Sequence, residues 1–217
     1  AGGFAPFAFG LVPDDPQYAR ALALLVDEGH FWTEHPVAQV SRTARSASGS
    51  PDPLAGLALP YTNSLIAEAM ACAIRSLKQR HLTRRRLMDF LWLYAGLQFE
   101  ADDLARPLTR EAYASDTGEG FGASDCLQSS FNDLLIRHVA GLTPRPDDTL
   151  EVAPLCTGWD WFAVRDVPYR GRRVSIVWDR RADRRRPPGV PRGLSVYVNG
   201  HLVAESPDLE RLTVPLP

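Results

Sequence analysis

The sequence predicts a mainly α plus β chain: a helical segment first, then a small antiparallel β segment. Three observations predict it. Apolar residues recur at helical spacing in several runs up to about residue 140. From Thr143 onward the period shifts to two. Two turn dipeptides, Arg170-Gly171 and Asn199-Gly200, sit inside alternating runs, where hairpins need them. The stretch Thr-Pro-Arg-Pro-Asp-Asp at 143–148 marks the expected boundary, giving segments 1–142 and 143–217.

The first helix is expected over 16–28. Asp15 supplies an N-cap, Pro16 suits the first turn, and Tyr18, Leu22, Leu25 and Val26 share a face, with Gly29 as the stop. Residues 30–60 follow neither period and read as a long loop. It is aromatic in front (Phe31, Trp32) and rich in small residues behind (Ser46 to Pro53), a pattern that suggests function and then mobility. A second helix is expected from Ser64 to about Arg80, capped by Thr62 or Asn63, with Leu65, Ala69, Cys72, Ala73 and Leu77 inward. A third runs from Arg84 to about Glu100 behind Thr83, with Leu87, Phe90, Leu91, Tyr94 and Leu97 as its stripe. The short connection between them makes the two an antiparallel hairpin. A loop is expected over 101–124, then a helix from about Leu127 to Ala140 ended by Gly141.

In the β segment, Leu150, Val152 and Trp159 to Val164 read as strands. Hairpins are expected over Val167 to Asp179 and Leu194 to Glu205, and a last strand over Leu212 to Leu216. Arg180 to Arg192 is an Arg/Pro-rich excursion. Trp159, Trp161 and Trp178 fall at strand spacing, which assigns them to core packing.

Composition removes several functions. The chain carries 24 basic and 26 acidic residues, so it lacks the positive footprint of a nucleic-acid binder. The clusters Arg84–Arg86 and Arg184–Arg186 carry no interleaved aromatics to change that. Cys72, Cys126 and Cys156 form no CxxC and are odd in number, which argues against a disulfide framework or structural zinc and fits a reducing, cytoplasmic setting. His30, His35, His81, His138 and His201 lack metal-ligand spacing, so neither metal nor cofactor is expected. No apolar run is long enough to span a membrane. P-loop, Gly-x-Ser-x-Gly and dinucleotide fingerprints are missing. The chain opens without methionine inside an apolar stretch, which reads as a fragment or processed product.

The densest chemistry lies in Arg110 to Gly122, where Glu111, Asp116 and Glu119 accompany Tyr113 and three glycines. A solvated loop with capping acids accounts for the same residues. Trp32, Glu34 and His35 form either a sugar-stacking platform or an ordinary surface patch. Tyr61 and Asn63 sit at a helix start, where Asn63 is a cap or a ligand group.

Four ordered segments carry a resemblance. They are Gly29-His30-Phe31-Trp32-Thr33-Glu34-His35-Pro36-Val37, Pro60-Tyr61-Thr62-Asn63-Ser64, Glu111-Ala112-Tyr113 with Asp116-Thr117-Gly118, and Ser129 to Ile136. Together with the β tail they resemble the mannosylglycerate-hydrolase-like and glucosidase-like glycoside hydrolases, whose fold is an (α/α)6 barrel. The resemblance implies the C-terminal portion of an (α/α)6 toroid followed by a small antiparallel β-domain. It implies inverting hydrolysis of a glycosidic bond, with Glu111 as general base and the carboxyls roughly 6.5–9.5 Å apart. Trp32, His35, Tyr61, Asn63, Tyr113 and Asp116 would contact the carbohydrate. No residue matches that family's general acid, and Leu54 to Leu59 lacks its tryptophan. The acid would come from a preceding part of the protein, from another chain, or not at all. In the last case the chain is a non-catalytic carbohydrate-binding or structural remnant. A half toroid would also leave helix faces uncovered, favouring self-association or an N-terminal partner segment.

Overall fold

The computed structural model describes residues 1–44, 54–100, 103–126, 128–180 and 191–216. The small-residue stretch 46–53, the start of the helix expected at Leu127, and Arg184–Arg186 within the Arg/Pro-rich excursion lie outside them. The chain divides into two compact units, Ala1–Phe131 and Asn132–Pro217.

In the first unit, short helical turns including α1 (Ala5–Ala8) precede α2 (Pro16–Leu25). The Asp15 side chain accepts from the Gln17 amide at 2.8 Å, and Leu22 and Leu25 are buried. The helix stops at Leu25, short of Gly29, and a turn follows in which the Asp27 carbonyl accepts from the amides of residues 30 to 32.

Helix α3 (Pro60–Ser76) begins earlier than expected. Pro60 occupies its first turn, where no amide donor is needed, and extended Leu59 is the cap residue. The Asn63 amide already bonds the Leu59 carbonyl at 2.9 Å, so neither Thr62 nor Asn63 caps the helix. Helix α4 (Arg84–Gly96) is capped by Thr83, which accepts from the Arg86 amide at 3.1 Å. Its stripe Leu87, Phe90, Leu91 and Tyr94 is buried, each side chain contributing about 1.5–3 kcal/mol by leaving water.

The expected loop over 101–124 instead contains a hairpin, β2 (Arg110–Ala114) and β3 (Gly120–Ser124). Strand β1 (Leu57–Ala58) completes a three-stranded antiparallel sheet of order β1-β2-β3. The last helical stretch is α5 (Ser130–Leu134) continued by a π-turn at Leu135–Val139.

The second unit holds two more antiparallel sheets. One joins β4 (Leu142–Thr143), β5 (Thr149–Val152) and β10 (Leu212–Pro215) in the order β10-β5-β4. The other runs β6-β7-β8-β9, from β6 (Trp161–Tyr169), β7 (Arg172–Asp179), β8 (Gly193–Val198) and β9 (His201–Ser206). Both expected hairpin turns form, with positive φ at Arg170 and Gly171 (49° and 75°) and at Asn199 and Gly200 (49° and 84°). Strand β6 bulges between Val164 and Val167, and Asp166 there has φ 55°. Of the three tryptophans only Trp178 is core. Trp161 is 58% exposed because it opens β6 on the face opposite buried Phe162, and Trp159 precedes the sheet.

The (α/α)6 toroid is therefore overturned. Among the described residues only α3 and α4 exceed ten residues, and ten strands form three antiparallel sheets. A toroid needs repeated long helical pairs, and residues that would have to supply the next pair build β2 and β3 instead. Self-association inferred from uncovered toroid ends loses its premise. No helix among the described residues is long and apolar enough to cross a membrane.

An acid-sensitive cluster sits in the second unit. Buried Glu151 bonds Arg145 and Arg211, each at 2.9 Å, and Arg145 also bonds Asp147 at 2.8 Å. The hydrogen bond from Arg145 pulls the Asp147 carboxyl down to about 2. Burial raises the Glu151 carboxyl, but the hydrogen bonds from Arg211 and Arg145 together outweigh it, and the net shift is downward. Both folded values lie below the unfolded ones, so the stabilisation is fully present above about pH 4.5 and is lost as pH falls toward about 2. In an acid titration followed by circular dichroism, Glu151→Gln should flatten this loss. An unchanged titration would remove Glu151 from the cause.

Candidate functional site

Among the described residues of the first unit, two clefts are lined by residues singled out in the sequence. The first, about 390 Å³, is lined by Pro60, Tyr61, Arg110, Glu111, Asp125 and Gln128, with Cys126 beside them. The second, about 500 Å³, is lined by Glu28, Trp32, Thr33, Glu34, Arg42 and Asp116, with Leu93 beneath.

The first cleft is built by the start of α3 and the β2–β3 hairpin. Tyr61 projects from the opening turn of α3 and is 68% exposed, leaving a ring face available to a ligand. Glu111 lies on β2 and is exposed. The Ala123 amide donates to its Oε2 at 3.4 Å. Gly122, at φ 76°, gives the carboxylate room, because a Cβ there would fall 2.5 Å from that oxygen. Arg110 is committed to β3: its Nη1 donates to Ser124 Oγ at 2.7 Å and to the Gly122 carbonyl at 3.4 Å. Asp125 has φ 55°, a left-handed conformation that Asp tolerates better than most residues.

Beneath the cleft, polar groups are mostly paired. Tyr113 is buried, and its hydroxyl accepts from the Arg110 amide at 2.7 Å and from Gln128 Nε2 at 3.4 Å. Burial pushes the Tyr113 hydroxyl above its ordinary range, so it stays protonated. Tyr94 donates to the Pro60 carbonyl at 2.7 Å and meets Ser64 at 2.9 Å; burial lifts its hydroxyl to about 12. Two groups break the pattern. Gln128 is 7% exposed, and its Oε1 is buried without a partner. Asn63 is fully buried one turn into α3, and both its side-chain polar atoms are unsatisfied.

The second cleft joins the aromatic loop to the β2–β3 turn. That loop is held by backbone bonds, Ala38 to the Phe31 carbonyl at 2.9 Å and Gln39 to the Leu57 carbonyl at 2.7 Å. Trp32 is only 9% exposed, packs against Phe90 with centroids 6.1 Å apart, and carries the Arg86 guanidinium 5.4 Å from its ring centre. His35 lies against Gly118, where a Cβ would fall 2.6 Å from the imidazole. Asp116 faces the same cleft as Trp32 and Glu34.

The seven residues read from the sequence thus separate. Tyr61 and Glu111 share one cleft above Tyr113; Trp32 and Asp116 share the other, with His35 against the same turn; Asn63 is buried in α3. Asp125 and Gln128 were missed. They sit at an irregular chain reversal with no periodic signal, and only the β3 pairing carries them to Glu111. Among the described residues no group of three or more His, Cys, Asp or Glu side chains is arranged to hold a metal ion, and all three cysteines are free.

No family model matches the chain. A solved structure titled "Sialidase" matches with a TM-score of 0.82 at 28% identity over 97% of this chain. The chain spans only 20% of that protein's length. Together with the three sheets, this likeness replaces the (α/α)6 glycoside-hydrolase resemblance. The inverting stereochemistry implied by that family loses its basis with it.

Proposed function

We propose that this chain is part of a glycoside-hydrolase-related, carbohydrate-active protein, and that the cleft between Tyr61 and Glu111 receives the sugar. One observation carries the reading. An exposed aromatic ring and an exposed carboxylate, 50 positions apart in sequence, line the same cleft, with Asp125 and Gln128 beside them. A ring face offers a sugar an apolar surface, and the carboxylates and amide take its hydroxyl protons. The structural likeness to a protein titled "Sialidase" supports carbohydrate chemistry as the class.

In this reading Glu111 is the general base. Its carboxylate takes the proton of the water that completes the hydrolysis, and the leaving oxygen takes its proton from a separate acid. Tyr113 stays a protonated scaffold beneath it, since burial raises its hydroxyl above the ordinary range. Carbohydrate binding without chemistry is the second reading, favoured by the open, water-facing setting of Glu111.

Tyr61→Ala tests where the sugar sits. Loss of an exposed stacking ring should weaken oligosaccharide binding by the intact protein roughly threefold to tenfold, measured by calorimetry. Tyr61 makes little contact with the core, so the melting temperature should stay put. Affinity unchanged within experimental error would move the sugar elsewhere.

A further inference from the structure

We infer that the β-bulge at Gly122-Ala123 is the device that aims the Glu111 carboxylate, with Arg110 as its brace. The inference rests on the reading of Glu111 as general base and adds the residues that position it.

The strand register shows the bulge. Arg110 pairs with Ser124, and Ala112 pairs with Phe121. One residue on β2, Glu111, therefore faces two on β3, Gly122 and Ala123. The extra residue of a bulge stands outside the one-to-one pairing, which lets backbone meet a side chain. Here the Ala123 amide donates to Glu111 Oε2 at 3.4 Å.

Space matters as much as the bond. Gly122 has φ 76°, and a Cβ on it would fall 2.5 Å from Oε2 and 2.8 Å from the Glu111 Cβ. The second distance decides. A carboxylate end can swing aside, but a Cβ moves only with its own backbone. A side chain at 122 therefore displaces Glu111 from its root. Arg110 braces the bulge on both sides: its Nη1 donates to the Gly122 carbonyl at 3.4 Å and to Ser124 Oγ at 2.7 Å. Gly120 gives that brace its path, because a Cβ there would run into the Arg110 Cγ. Alternate glycines on β3 thus each seat one side chain of β2. A base already held by backbone loses little further freedom when its water arrives.

The test separates backbone strain from displacement. Asn accepts the left-handed conformation at 122 but carries a Cβ. Gly122→Asn should therefore keep the fold, seen by circular dichroism, and lose the aim. The first readout is the Ala123 amide by NMR of selectively alanine-labelled intact protein, assigned by its loss in Ala123→Gly. In the parent its proton resonance should move as Glu111 ionises, and should stay still in Glu111→Gln. In Gly122→Asn that movement should disappear. The second readout is hydrolysis of a panel of nitrophenyl glycosides. Here Gly122→Asn should lower kcat roughly tenfold to a hundredfold with KM little changed, the scale of loss when a reacting group is misplaced by about 1 Å. A parent resonance that ignores Glu111 overturns the inference, and so does a Gly122→Asn protein that keeps either the movement or the rate. If Gly122→Asn loses its fold, Arg110→Met removes the brace while keeping the stem, and the same two readouts decide. A parent that shows the movement but hydrolyses none of the glycosides supports the hold and sinks the general-base reading, so the two failures are told apart.

Discussion

Glu111→Gln should lower glycoside hydrolysis by the intact protein about 10²–10⁴-fold, the usual loss when a general base is removed. The substitution is nearly isosteric. Gln keeps an oxygen toward the Ala123 amide, which lies 3.4 Å from Oε2, and fits the space above Gly122. What it loses is the capacity to take a proton from water. The fall should therefore appear in kcat, with KM little changed, because sugar contacts remain. Circular dichroism and melting temperature should match the parent. Activity within tenfold of the parent would remove Glu111 from the proton-transfer role and favour the binding-only reading.

Phe90→Ala is expected to cost about 3–5 kcal/mol of folding stability, at the upper end for a single core truncation. Phe90 has no exposed surface and sits mid-way in a chain of aromatic contacts. Trp32 lies 6.1 Å away on one side and Tyr94 6.3 Å away on the other, and Tyr94 continues to Phe131 at 5.0 Å. Removing the ring leaves a cavity that α3 and α4 cannot close without moving. The loss should also loosen the loop that places Trp32, so the second cleft should lose its shape before the first. Urea unfolding of the intact protein gives the number, and hydrogen exchange at residues 31–38 gives the local effect. A cost below about 1 kcal/mol would mean that this aromatic chain is not the core of the first unit.

The parts legible in the sequence are those whose physics is local. Asp15 and Thr83 announce their helices because each cap needs only its own oxygen and an amide two or three residues on. The α4 stripe is readable because burial on one face leaves a 3.6-residue period. Asn199-Gly200 is readable because a two-residue hairpin turn demands positive φ at both positions. The β2–β3 hairpin is not readable. Arg-Glu-Ala-Tyr-Ala and Gly-Phe-Gly-Ala-Ser contain no β-branched residue, and their pairing is secured by Leu57-Ala58, more than 50 positions earlier. Strand preference there comes from neighbours, not from the residues themselves.

The same limit explains the site. Glu111 and Tyr61 were found as residue types, but a cleft is a property of packing, so Asp125 and Gln128 stayed hidden. The family resemblance failed for a related reason. Its motifs are short and lie largely in loops and helix starts, which different scaffolds can share. The spacing between them does not encode whether the intervening chain builds more helices or a sheet.

The outer strand of the four-stranded sheet has a wider consequence. β6 carries a bulge between Val164 and Val167, charged Arg165 and Asp166 at the bulge, and Pro168 just beyond it. A proline offers no amide, a bulge throws the ladder out of step, and a charge resists being sandwiched. A foreign strand approaching β6 therefore finds no continuous template. The margin of this sheet is blunted against runaway β-addition, so newly made chains can pass through half-folded states without zipping together along that side.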